Sequence, residues 1–225
     1  MDKLRRFLFW LLVTLTAIFL LLPTLIIVPM SFTTTATLEF PPVGFTFDWY
    51  GKVIGAPDWQ TALMNSLVIA CAAAALSTVI GTAAALALHA HRFPGKALVM
   101  GLLLSPMVTP VIVLAVGMYM VFSGWGLVAT RLGLVLAHTV LAIPFVVVSV
   151  LASARMVNPS LVPASLGLGA GRFFTFRRVT LPLIMPGVLS GAVFAFITSW
   201  DEVVIALFLR SEERRVGEEC RSRWS

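Results

Sequence analysis

Five apolar stretches divide this chain, at about Phe7–Val28, Met64–Leu88, Ala97–Phe122, Leu132–Leu151 and Leu183–Leu209. A bilayer core needs about 20 apolar residues of helix to cross it, and each stretch approaches or exceeds that length. The strict alternation of a membrane strand is absent, so a β-barrel is not expected. The pattern predicts an all-α polytopic membrane protein. Small residues crowd the second stretch (Cys71, Ala72–Ala75, Ser77, Gly81, Ala83–Ala85). Small side chains let helices approach closely, which predicts a place for that span in the middle of the bundle. Pro23, Pro106, Pro110, Pro144 and Pro186 lie within or at the ends of spans, where kinks are tolerated if neighbours satisfy the freed carbonyls.

Composition supports the same class: 59% of the 225 residues are hydrophobic and 12% charged. The formal net charge of +6 reads as a topology signal, because the basic residues sit in short loops. With the N-terminus inside, the inner loops hold Lys3, Arg5, Arg6, Arg92, Lys96, Arg155, Arg172, Arg177 and Arg178, and the outer loops only Lys52 and Arg131. That asymmetry predicts a cytoplasmic N-terminus. The start MDKLRRFLFW reads as a retained anchor, since its apolar run is too long for a signal peptide and no small-residue cleavage site follows. The outer loop Ser31–Leu63 carries Trp49, Tyr50 and Trp59, which suit a membrane interface. Cys71 and Cys220 suggest no disulfide framework.

Catalytic and cofactor motifs fail on inspection. Gly167, Gly169 and Gly171 lack the strand–turn–helix context of a dinucleotide loop, and no phosphate-binding G-x-x-x-x-G-K-[ST] occurs. His89 and His91 supply too few ligands for a closed metal site. His138 is a lone histidine in the fourth span, expected to hydrogen-bond a neighbouring helix. No catalytic residue, metal, cofactor or nucleic-acid partner is expected.

The inner segment 155–182 is different. Val162–Pro182 reads VPASLGLGAGRFFTFRRVTLP, polar and basic between two long apolar runs. Asn158-Pro159 has the chemistry of a helix N-cap and first position. A short helix should begin there, loosen around Gly167–Gly171, and restart through Phe173–Val179 before Pro182. Two short exposed basic helices would form a docking surface; the alternative is a solvated loop with ordinary topogenic arginines.

This segment resembles the EAA loop of the integral-membrane subunits of bacterial binding-protein-dependent ABC importers. Ala164, Gly169, Ala170, Phe176, Val179, Leu181 and Pro182 fall in that pattern's register. FPPVGFTFDWY at Phe40–Tyr50, PFVVVSV at Pro144–Val150 and SWDEVVIALFL at Ser199–Leu209 resemble the spermidine/putrescine branch. The resemblance covers nearly all of residues 1–209, and it implies the type I importer permease fold, with six spans of which five are present. It implies a second permease subunit, two cytoplasmic ATP-binding subunits that carry out hydrolysis, and an extracytoplasmic solute-binding protein, in a bacterial inner membrane. ATPase coupling would fall to Ala164, Ser165, Leu168, Gly169, Ala170, Arg172, Phe176, Leu181 and Pro182, with a short helix such as Pro163–Gly171 as the lever.

The sequence departs from the pattern in two places. Pro163 stands where the family has the motif's first Glu, and Ser165 where it has the second Ala. If the helix starts at Pro159, Pro163 removes an interior donor at a cost of up to about 3 kcal/mol; alternatively the helix restarts at Pro163. Residues 210–225, RSEERRVGEECRSRWS, resemble a translated sequencing adapter, with five Arg and four Glu directly after an apolar run. They are expected to be non-native and to stand where a sixth span should be.

Asp201 and Glu202 are the only acidic residues inside an apolar span. Ionisable groups at membrane depth point to function. Two readings stand: a substrate path for a polycation, or structural carboxylates paired with another subunit or marking a helix break. Polyamine transport follows from the resemblance; sulfate, ferric ion or phosphonate permeases, and an ion-coupled secondary transporter, are the alternatives.

Overall fold

The structure is a computed structural model that describes residues 2–37 and 39–209; the tail reading at 210–225 lies outside the described residues. Among these residues every regular element is helical. The described residues fall into two compact units, one up to Leu63 and one from Met64 onward.

The first unit contains α1 (Asp2–Met30) and α2 (Asp48–Gly55), joined by a folded loop. Phe32 packs edge-on against Phe47 at 5.3 Å and tilts against Tyr50 at 5.4 Å. The Trp49 indole N–H donates to Thr33 O at 2.8 Å, and the Lys52 ammonium lies 4.4 Å from the centre of the Trp49 ring. The amphipathic residues of this loop thus hold it together by aromatic packing and hydrogen bonds to its own backbone.

The second unit takes in most of α3 (Pro57–Ala90), followed by α4 (Lys96–Val108), α5 (Val111–Gly124) and α6 (Arg131–Met156). After α6 come α7 (Leu161–Gly167) and α8 (Arg172–Thr175), a π turn (Phe176–Thr180), α9 (Leu181–Asp201) and α10 (Val204–Leu209). Among the described residues, four helices are long and apolar enough to cross a membrane, and a fifth crossing is available if α4 and α5 count as one broken span.

That third stretch departs from the single span expected over Ala97–Phe122. It bends by 108° between α4 and α5. The cause is local. Both the N–H and the hydroxyl of Thr109 bond Ser105 O, which closes α4. Thr109 then turns extended, as the residue before Pro110 must.

The most enclosed helix is α6. Of its apolar window 56% is buried, against 33% for α3, so the small-residue span expected at the centre of the bundle is flanking instead. The buried positions of α3 form one stripe (Ala70, Ala73, Ala74, Ser77, Gly81, Ala85 and Leu88), enough to cover a single side. By contrast α6 is gripped from more than one direction. A Cβ on Gly81 would meet the Val146 side chain at 2.8 Å, and one on Gly191 would meet Val146 Cα at 3.0 Å. Val146 therefore sits between α3 and α9.

The α9 contact repeats every four residues. Gly187, Gly191, Ala195 and Ser199 are all buried, and the first two form a G-x-x-x-G step. A Cβ on Gly187 would lie 2.6 Å from Ser149 O, so the backbones themselves approach. Gly187→Val should therefore cost on the order of 1–3 kcal/mol and lower the melting temperature of the solubilised chain by several degrees. Gly117→Val is the control, since nothing lies within 4 Å of that position. Equal melting of the two variants would contradict the close α6–α9 approach.

Candidate functional site: a basic hairpin and an acidic helix break

The polar segment between α6 and α9 folds as a hairpin of short helices. Asn158 Oδ1 accepts from the N–H and the hydroxyl of Ser160, at 3.0 and 2.8 Å, which turns the chain. The helix then begins at Leu161, two residues later than an Asn158 cap would give. This shift removes the expected cost of Pro163. The first N–H to bond within α7 is that of Ala164, to Ser160 O at 2.9 Å, so Pro163 occupies a first-turn position whose N–H has no intrahelical acceptor.

Gly169 ends the helix. Its N–H bonds Leu166 O, and the next N–H, of Ala170, bonds Ser165 O. This paired arrangement requires a left-handed residue between the two, and Gly169 has φ +87°. Ser165, the departure from the family's alanine, makes a specific contact: its hydroxyl lies 3.0 Å from that of Thr175, which is buried. One hydrogen bond thus ties α7 to α8. An open hollow of about 540 Å³ lies between them, lined by Ser165, Leu168, Gly169, Ala170, Gly171 and Phe174.

The second half of the segment is not a separate helix that stops before Pro182. It runs on into α9, giving one apolar helix over Arg172–Asp201. The π turn makes this possible. Leu181 N–H reaches back five residues to Phe176 O. The wider turn makes room for the Pro182 ring, which would clash with the carbonyl four residues back in an α-helix.

Most of the residues assigned to coupling lie on this hairpin surface. Ala164, Leu168, Gly169, Arg172 and Phe176 are exposed, Ser165 and Ala170 are half-buried, and Leu181 and Pro182 open α9 behind them. Leu168 is 90% exposed and Phe173 75%, beside Arg172, Arg177 and Arg178. Apolar tips ringed by cations form a surface suited to a protein partner.

At the other end of α9 lies the acidic pair. The fifth stretch, expected as one span to Leu209, breaks after Asp201. Glu202 Oε1 accepts from Ile205 N at 3.0 Å and so caps α10. Asp201 is exposed. The two carboxylates thus differ: Glu202 is engaged in the break, and Asp201 is exposed beside it.

Sequence reasoning left His138 without a named partner; its Nδ1 lies 2.8 Å from the Ser199 hydroxyl. Ser199 carried no signal of its own beyond its place in the four-residue repeat of small side chains.

A family profile described as the inner membrane component of binding-protein-dependent transport systems matches residues 77–216, more than half of the chain. The chain belongs to that family. It is similar to the spermidine/putrescine transport system permease protein PotC of Escherichia coli K12, 34% identical over 197 residues, 87% of this chain and 74% of the relative. It is also similar to the trehalose transport system permease protein SugB of Mycobacterium tuberculosis, 31% identical over 216 residues, 94% of this chain and 79% of the relative. The diacetylchitobiose uptake system permease protein DasC of Streptomyces coelicolor is 30% identical over 172 residues, 76% of this chain and 62% of the relative. The importer family read from the EAA-like segment is borne out. The chain is a multi-pass membrane permease subunit of an ABC importer.

In this permease, Gly169→Val should unfasten α7, because a β-branched residue resists φ +87° by about 1–2 kcal/mol. Limited trypsin digestion should then cut at Arg172 faster than in the parent. An unchanged cleavage rate would show that the Gly169 turn does not hold the hairpin.

Proposed function

We propose that this permease pairs with a second permease subunit to form a polyamine path, and that a cytoplasmic ATPase subunit grips the hairpin α7–α8 to drive it. Two ATP-binding subunits carry out hydrolysis, and an extracytoplasmic binding protein delivers the solute. The N-terminus lies in the cytoplasm, on the same side as the hairpin, in keeping with the clustering of Lys and Arg in those segments. The carrying observation is that an exposed apolar and basic hairpin continues without interruption into an apolar helix ending at an acidic break. At a rise of 1.5 Å per residue, the helix from Arg172 to Asp201 is a rod of about 45 Å. Force applied at α8 therefore reaches Asp201 along one element.

The substrate class follows from that end. An exposed carboxylate at the end of a membrane-crossing helix suits an alkylammonium, which carries three N–H donors and a full positive charge. The resemblance to PotC points to the same solute class.

A cysteine at Leu168 should cross-link to the co-produced ATPase subunit. Full labelling by a soluble maleimide in the assembled complex, with no cross-linked product, would refute the docking. Asp201→Asn removes one charge-assisted contact worth about 1.5–3 kcal/mol, so the apparent KM for spermidine should rise roughly tenfold or more at unchanged assembly. Spermidine uptake that is indifferent to this change would refute the acidic path.

A further inference from the structure

We propose that His138 is a positioning residue: through Ser199 it fixes the turn that presents Asp201. The inference rests on the reading of Asp201 as a substrate carboxylate. Several hydroxyls within the spans bond a carbonyl of their own helix. Ser77 and Thr78 bond Ala74 O, Thr139 bonds Val135 O and Ser190 bonds Gly187 O. Ser199 does not. Its hydroxyl crosses to His138 Nδ1 at 2.8 Å, joining residues 61 apart in sequence. Both side chains are buried, His138 to 4% exposure and Ser199 to 5%.

The bond sits where it can matter. Ser199 lies two residues before Asp201, in the last turn of α9. Beyond the break, Ile205 and Leu209 of α10 are buried in a cluster with Ala137 and Leu141 of α6. Residues 137, 138 and 141 share one side of α6, so one stretch of that helix holds the break from both ends. Between the two grips the backbone has little freedom, and Asp201 is directed outward from them.

Packing alone does not account for an imidazole here. His138 Nε2 is buried without a hydrogen-bond partner. An apolar side chain of similar size would fill the space without that unsatisfied atom. What the ring supplies is the Nδ1 bond to Ser199.

The test uses the assembled transporter, with Cys71 and Cys220 changed to Ser and a single cysteine at Val203, which is 60% exposed within the break. Ser199→Ala and His138→Leu should each change the rate of maleimide labelling at that cysteine about threefold or more, and raise the apparent KM for spermidine about fivefold at unchanged maximal rate. The double variant should be no worse than either single, because both remove one bond. His138→Asn, whose amide can still reach Ser199, should restore both readouts. If His138→Leu fails to accumulate, Ser199→Ala carries the test. Labelling and KM both unmoved in Ser199→Ala would overturn the proposal. Altered labelling with an unmoved KM would uphold the positioning of the turn and overturn the acidic path on which its transport role rests.

Discussion

The close backbone approach of α6 and α9 is the constraint on which the rest of this permease depends. Lipid tails are as apolar as leucine, so the hydrophobic effect does little to bring two helices together inside a membrane. Intimate van der Waals contact must do so, and it needs small residues at the crossing. Gly187, Gly191, Ala195 and Ser199 supply them at every fourth position of α9. The same side of α9 that packs against Ser149 and Val146 at one end reaches His138 at the other. Aligning the two helices thus also sets where α9 stops and how the acidic turn leaves it.

Two proline sites show how the chain handles the backbone groups such residues leave unpaired. At Pro110 the helix gives way, Thr109 closes α4, and the third span bends sharply. At Pro182 the helix survives, because a π turn widens the ladder one residue earlier. Continuity through Pro182 joins α8 and α9 in one helix, whereas the bend at Pro110 separates α4, packed beside α6, from α5, packed beside α10.

Hydropathy made the all-α class legible, because an apolar run of some 20 residues has few other uses. A loosening over Gly167–Gly171 was legible too, though not that Gly169 is the glycine that ends α7. The helix start at Leu161 was not, since Asn158 caps through a turn rather than directly, and Pro163 became harmless as a result. Apolar residues continue through Val203–Leu209, so hydropathy saw no end to α9 at Asp201; the break is made by a Glu202 cap and by packing on α6. The G-x-x-x-G of α9 was present in the sequence, and its repeat through Ala195 and Ser199 was the available signal for the α6 contact. A hydrogen bond from His138 to a neighbouring helix was legible, but its partner Ser199, 61 residues away, was not.

The central claim is that movement of the hairpin reaches the acidic break along a rigid helix. Spin labels at Phe173 and Val193, both exposed, report on that helix across the π turn. A third label at Leu76, on α3, reports its motion against the bundle. On adding ATP to the assembled transporter, the Phe173–Val193 distance, about 30 Å by helical rise, should hold within about 2 Å. The Phe173–Leu76 distance should change by several ångströms, as for a moving domain element. A change of several ångströms within the Phe173–Val193 pair would make the π turn a hinge and contradict the account.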